Sequence, residues 1–180
     1  MKHAPATLYG MKTNPRNYLF VAAFVLLTAC PAYGDEALVH KQIGDDFLRH
    51  GQTHSAIREY QKAVESNPNL SAVYFNMAIA YYSETNLKSA GATLEKVIEL
   101  KPNDTEALYN LACIKLYLRS LEQAKFCFQK ACCCTGGKND FKTKSQNALD
   151  SIRAIEKMEP LMQNAFFAIL QKNLPVLARS

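Results

Sequence analysis

The side chains best suited to reactive chemistry in this 180-residue sequence are six cysteines and four histidines, and their spacing discourages most of it. Cys132, Cys133 and Cys134 are adjacent, and neighbouring cysteines make only strained disulfides with each other. The triplet stands just before Gly136-Gly137, so its thiols could still reach another chain or a soft metal ion. No CxxC pair or nearby histidine completes a zinc set. Cys113 and Cys127 read as small apolar residues between helices. His50 and His54 are separated by Gly51 at a turn and do not share a helical face. A glycine-rich phosphate loop, a nucleophile elbow and an interpretable Ser, His and Asp set are all missing. The sequence therefore reads as that of a non-enzyme with neither cofactor nor metal, and its chemistry must lie in non-covalent binding.

The elements that would position such a surface recur every 34 residues. Ala56, Ala90 and Ala124 keep that interval, as do Gly44, Ala78 and Ala112, then Tyr60, Leu94 and Phe128. Ile43, Met77 and Leu111 follow the same rule, and Pro68 and Pro102 close the first two units. A period of this length marks stacked supersecondary units, and small residues at fixed places allow close helix crossings. The pattern predicts helices over Ala37–His50, Thr53–Ser66, Ser71–Tyr82, Leu87–Leu100, Asp104 or Thr105 to Leu118, and Leu121–Cys133. Units accordingly cover residues 37–70, 71–104 and 105–138. The last unit needs a cover, and 139–158 supplies an amphipathic helix with Phe141, Leu149, Ile152, Ile155 and Met158 in one stripe. The tail, 161–180, is unusually apolar and broken by Pro175. It either folds back on the array or docks in the groove of another copy or of a partner.

The run from Ser71 through Tyr82, with Ala90, Leu94, Val97 and Pro102, resembles the tetratricopeptide repeat, and the units on either side follow it. The resemblance covers residues 37–134. His40 and Leu108 stand where that family often has tryptophan, and Lys115 stands where Phe47 and Tyr81 are aromatic. It implies an all-α, right-handed superhelical solenoid of three helix pairs, with the first helix of each pair lining a concave groove. That groove would present Lys41, Asp45, Leu48 and Arg49, then Phe75, Asn76, Ile79, Tyr82 and Ser83. The third unit would add Glu106, Tyr109, Asn110, Cys113, Leu116 and Tyr117. A tyrosine-rich concave wall suits a bound peptide or helix, although some of these rings could instead pack between units. Chaperone-binding members of the family grip a C-terminal carboxylate with basic and amide side chains. Lys41 and Asn76 fit that clamp, but Asp45, Glu106 and Asn110 replace an asparagine, a lysine and an arginine. Two acids facing a carboxylate would repel it, so a carboxylate clamp is not expected.

Residues 1–34 read as an export signal. Lys12 and Arg16 precede the apolar run Tyr18–Ala29, which falls short of the roughly 20 residues needed to span a bilayer. Either Met1 or Met11 serves as the start. Two exits compete. Leu27-Thr28-Ala29-Cys30 resembles the bacterial lipoprotein signal, with Cys30 lipidated, while Ala32-Tyr33-Gly34 looks like an ordinary cleavage site before Asp35. Either exit places the folded part in the periplasm or on the membrane of a cell envelope, with a lipid anchor as its one membrane contact. Five cysteines then remain, an odd number that leaves a thiol free or paired with another chain. The formal charge of +5 includes Lys2, Lys12 and Arg16; the rest carries 18 basic against 16 acidic residues, without the basic stripe that nucleic acid requires. The expected function is that of a scaffold or adaptor binding a protein or peptide. The alternative is a redox or metal-responsive structural protein, with homo-oligomers formed through Cys132, Cys133 and Cys134; the apolar tail is a second route to self-association.

Overall fold

The computed structural model describes residues 33–158 and 160–174. The proposed signal, its start sites, both cleavage sites and Cys30 fall at or before the edge of that range, and Cys30 lies outside it. The described residues form eight helices: α1 (Tyr33–Arg49), α2 (Thr53–Ser66), α3 (Ser71–Ser83), α4 (Leu87–Leu100), α5 (Thr105–Tyr117), α6 (Leu121–Cys133), α7 (Asn139–Glu156) and α8 (Pro160–Asn173). The fold is all-α, with no strand among the described residues. None of these helices is long and apolar enough to cross a membrane.

The 34-residue rule has a direct steric cause. A Cβ placed on Gly44 would lie 2.6 Å from the Tyr60 ring, so α1 and α2 cross with no room for a side chain there. Ala78 and Ala112 hold the same place in the next two units and are fully buried, as are Ala56, Ala90 and Ala124. Tyr60, Leu94 and Phe128 are buried behind them. Consecutive helices pack together from α2 to α7, and α5 also carries α7 and α8. That central place explains why α5 buries residues on every face, from Thr105 to Leu116. At the other end Ile43, expected on the apolar side of α1, is 38% exposed, and Leu38 and Val39 are more so. Met77 and Leu111 at the equivalent places are covered because a preceding unit packs on them, and no described helix precedes α1.

Asp104 caps α5, its Oδ1 accepting from Ala107 N at 3.0 Å, and Asn86 caps α4 in the same way. Ser71 is the first residue of α3 and is buried; Leu70 precedes it without a capping side chain. The turn inside each pair is built once and used three times. Gln52 N donates to Phe47 O at 2.9 Å, Asn86 N to Tyr81 O at 2.9 Å, and Ser120 N to Lys115 O at 2.8 Å. The residue before each donor is left-handed: Gly51 (φ 73°), Thr85 (φ 58°) and Arg119 (φ 61°). This is the Schellman closure, in which two backbone hydrogen bonds satisfy the last carbonyls of the helix. Glycine is unstrained there, whereas threonine and arginine are not.

Replacing Thr85 or Arg119 by glycine is therefore expected to stabilise the fold by about 0.5–1 kcal/mol, and Gly51→Ala to destabilise it by about 1 kcal/mol. Urea denaturation followed by circular dichroism measures both signs.

Candidate functional site

The first cluster of expected binding residues is organised by Asp45. Its Oδ1 accepts from the Tyr60 hydroxyl at 2.8 Å and from Asn76 Nδ2 at 2.6 Å, and its Oδ2 accepts from Lys41 Nζ at 2.6 Å. One carboxylate thus joins α1, α2 and α3. Burial raises the Asp45 carboxyl, but the hydrogen bonds from Lys41, Tyr60 and Asn76 together outweigh it and hold it below its ordinary value. Beside it, His40 Nδ1 lies 2.7 Å from Glu59 Oε2, filling the tryptophan place with a polar link between α1 and α2. Arg49 points outward and pairs with Asp46 on its own helix.

The middle of the site lies on α3. Phe75, Ile79 and Tyr82 are half-buried, resting on the larger core cluster while part of each faces solvent. Tyr82 adjoins Tyr117 of α5; burial first, and then Tyr82, raise the Tyr117 hydroxyl above the usual phenol range. A recess of about 200 Å³ at the junction of α3, α4 and α5 brings Phe75 and Asn76 beside Lys101, Asp104 and Glu106. Glu106 pairs there with Lys138 at 2.6 Å.

The third unit departs from the expected open groove. Tyr109, Asn110, Cys113 and Leu116 are buried, Tyr109 at 1% exposure and Cys113 at 0%. The cover is the chain's own C-terminal part. Tyr109 packs edge-on between Phe128 and Phe141, with ring centroids 5.8 and 5.6 Å away. The Tyr117 hydroxyl donates to Gln171 O at 2.5 Å, while Gln171 Nε2 donates to Leu116 O at 2.6 Å. Of the two fates open to the tail, α8 takes the first and folds against the array. Burial raises the Tyr109 hydroxyl, which adjoins the Cys113 thiol, and pushes that thiol up to about 12.

Cys127 and Cys132 are also raised, chiefly by burial, so their thiolates are disfavoured at neutral pH. The five described cysteines are free, and Cys133 alone among them is exposed. No group of three or more His, Cys, Asp or Glu among the described residues is placed to hold a metal ion. What the arrangement can do is grip: a half-buried aromatic strip lies between a polar hub at one end and a self-covered unit at the other.

Family models of the tetratricopeptide repeat match residues 47–114 and 105–132. The chain carries tetratricopeptide repeats. Among curated proteins it is similar to the Hsp70-Hsp90 organizing protein 3 of Arabidopsis thaliana, 27% identical over 113 residues, covering 63% of this chain and 19% of that protein. It is also similar to the DnaJ homolog subfamily C member 3 of Homo sapiens, 26% identical over 127 residues, covering 71% and 25% respectively. The chain thus spans a quarter or less of these relatives. Among solved structures, the first tetratricopeptide domain of Spaghetti (RPAP3), bound to the HSP90 peptide SRMEEVD, superposes with a TM-score of 0.55 at 23% identity. That match covers 64% of this chain and 94% of the other. The first such domain of human RPAP3 gives 0.54 at 19% identity, covering 77% and 97%. These likenesses carry the tetratricopeptide fold.

Reading the sequence treated Asp45 as a groove residue and missed its role in joining three helices. The only hint was that its expected neighbours, Lys41 and Asn76, are both hydrogen-bond donors. Because the folded state holds Asp45 ionised more tightly than the unfolded chain does, its contribution is complete above the ordinary value of 3.8. It is lost as pH falls through the lowered folded value. Asp45→Asn is expected to flatten acid denaturation over that window, and Asp45→Ala to cost about 1–3 kcal/mol at neutral pH by leaving buried donors unpaired. Tyr109→Phe should change stability little by removing a buried hydroxyl whose polar neighbour is only the Cys113 thiol, whereas Tyr109→Ala should cost about 3–5 kcal/mol. Chemical denaturation across pH measures all four.

Proposed function

We propose that this chain is an adaptor that binds a segment of a partner protein along the strip formed by Phe75, Ile79 and Tyr82 and bordered by Tyr117. The observation that carries the reading is that these rings are held half-exposed on a rigid helical array with no catalytic group beside them. Aromatic side chains of this kind bury much area at little entropic cost. The similarity to organizing proteins and to a domain that holds a peptide supports the same direction. Binding would work by geometry, with the rigid array presenting the strip and exchange needing no covalent step.

The preferred segment is not one ending in acidic residues and a free carboxylate. Asp45 already occupies the donors Lys41 and Asn76, and Glu106 adds a second negative charge near the recess. An incoming carboxylate would have to displace an internal one and face repulsion. The chain is further proposed to act outside the cytoplasm of a bacterial cell, in the periplasm or tethered through a lipidated Cys30. The basic flank, short apolar run and Leu-Thr-Ala-Cys exit of residues 12–30 support this.

Capture of partners from envelope extracts by the full chain, compared with a Phe75→Ala/Tyr82→Ala variant, tests the strip. The expected result is loss of captured proteins at unchanged helical content; unchanged capture would refute the strip. The peptide SRMEEVD should give no change in fluorescence anisotropy with the full chain, and saturable binding would show that Asp45 does not block the seat. N-terminal mapping of the chain recovered from cells distinguishes a lipidated Cys30 from a free Asp35.

A further inference from the structure

Comparing the three units at the same register exposes a feature that the concave strip does not use. The place of Phe47 and Tyr81, whose rings pack into the core, is taken in the third unit by Lys115. The place of Arg58 and Ala92 on the outer face is taken by Phe126, which is 65% exposed. Both departures meet in one recess. Lys115 turns outward to pair with Glu95 at 2.6 Å, and the space that an aromatic ring would fill is left as a depression of about 420 Å³. Leu111, Cys127 and Phe126 supply its apolar lining, and Glu95, Lys115 and Glu122 ring it. Ion pairs around an apolar pocket are the anatomy of an anchor site, where surrounding groups keep water from a central side chain.

The same molecule carries an apolar stripe without a partner. One face of α8 is docked through Phe167, Leu170 and Gln171. Its other face exposes Met162, Phe166 and Ile169, spaced by four and three residues, as one helical row about 10 Å long. The charges match as well. The charged residues lining the recess are two carboxylates, Glu95 and Glu122, and one ammonium group, Lys115. Lys172 is the single charged residue of α8.

We propose that the recess between α4, α5 and α6 is a docking site for α8 of a second copy of this chain, with Phe166 of one copy inserted between Phe126 and Leu111 of the other. Each copy brings both halves of the contact. The two halves lie on opposite faces of α5, so the contact is heterologous and joins copies head to tail, with a pair as its first step. The contact is independent of the strip proposed to hold a partner segment, because it uses Leu111 and Lys115 of α5 and not Tyr117.

Sedimentation velocity of the full chain across a concentration series tests this. The expected result is a monomer–dimer equilibrium whose midpoint rises about tenfold or more in Phe126→Glu and in Phe166→Glu. An equimolar mixture of the two variants should recover part of the association, since the first keeps an intact tail and the second an intact recess. Lys115→Tyr, which restores the ring of the first two units, should fill the recess and abolish the dimer without loss of thermal stability. This variant also guards against misfolding of the glutamate variants. A chain that stays monomeric at every concentration overturns the proposal. So does a dimer that responds to Phe166→Glu but ignores Phe126→Glu and Lys115→Tyr, because that pattern means tail-to-tail contact.

Discussion

The structure depends on how closely two helices of one pair can approach. Where Gly44 faces the Tyr60 ring there is no space even for a methyl group, and alanine serves at the corresponding crossings of the next two units. Close crossing brings Tyr60, Leu94 and Phe128 fully inside, and they are among the largest side chains buried completely. A larger residue at any crossing would spread the pair and strip that burial at once. Because each unit shares its core with the next, the error would propagate.

The same constraint explains how much the sequence disclosed. Tight crossings impose residue types at a fixed interval, so helix order and most helix ends could be read from the chain. The start of α1, four residues ahead of Ala37, was not legible, since the repeat itself carries no information before its first member. The three identical turns were also hidden. Their shape is enforced by backbone hydrogen bonds, and glycine, threonine and arginine all occupy the left-handed place, so composition marks only the first. The binding wall was legible in part. Phe75, Ile79 and Tyr82 stand where the register puts them, but whether a wall residue meets solvent depends on what folds over it. Gln171 reaches Leu116 and Tyr117 across more than fifty residues, a contact with no local sign in the chain.

Asp45 shows how a polar group can serve the scaffold at a position that in principle faces a ligand. Its three donors come from three helices, and they satisfy it well enough to outweigh its burial. A carboxylate so tied fixes the angle between the first two units and withdraws its partners from other work. On the proposed reading, the aromatic surface then carries the contact, and such surface selects for shape more than for charge. The cysteines fit this picture of a passive framework. Where burial shifts them it disfavours the thiolate, and the thiol that faces water, Cys133, ends a helix away from the strip.

The uneven burial of the helices gives the array a direction. α5 is enclosed by neighbours on several sides, whereas α1 leaves Leu38, Val39 and Ile43 in water. Cooperativity is therefore graded along the chain. The block from α5 to α7, packed on most sides, is expected to be the last part to open. The strip proposed on α3 adjoins that block, so a segment bound there would couple it to the first pair of helices.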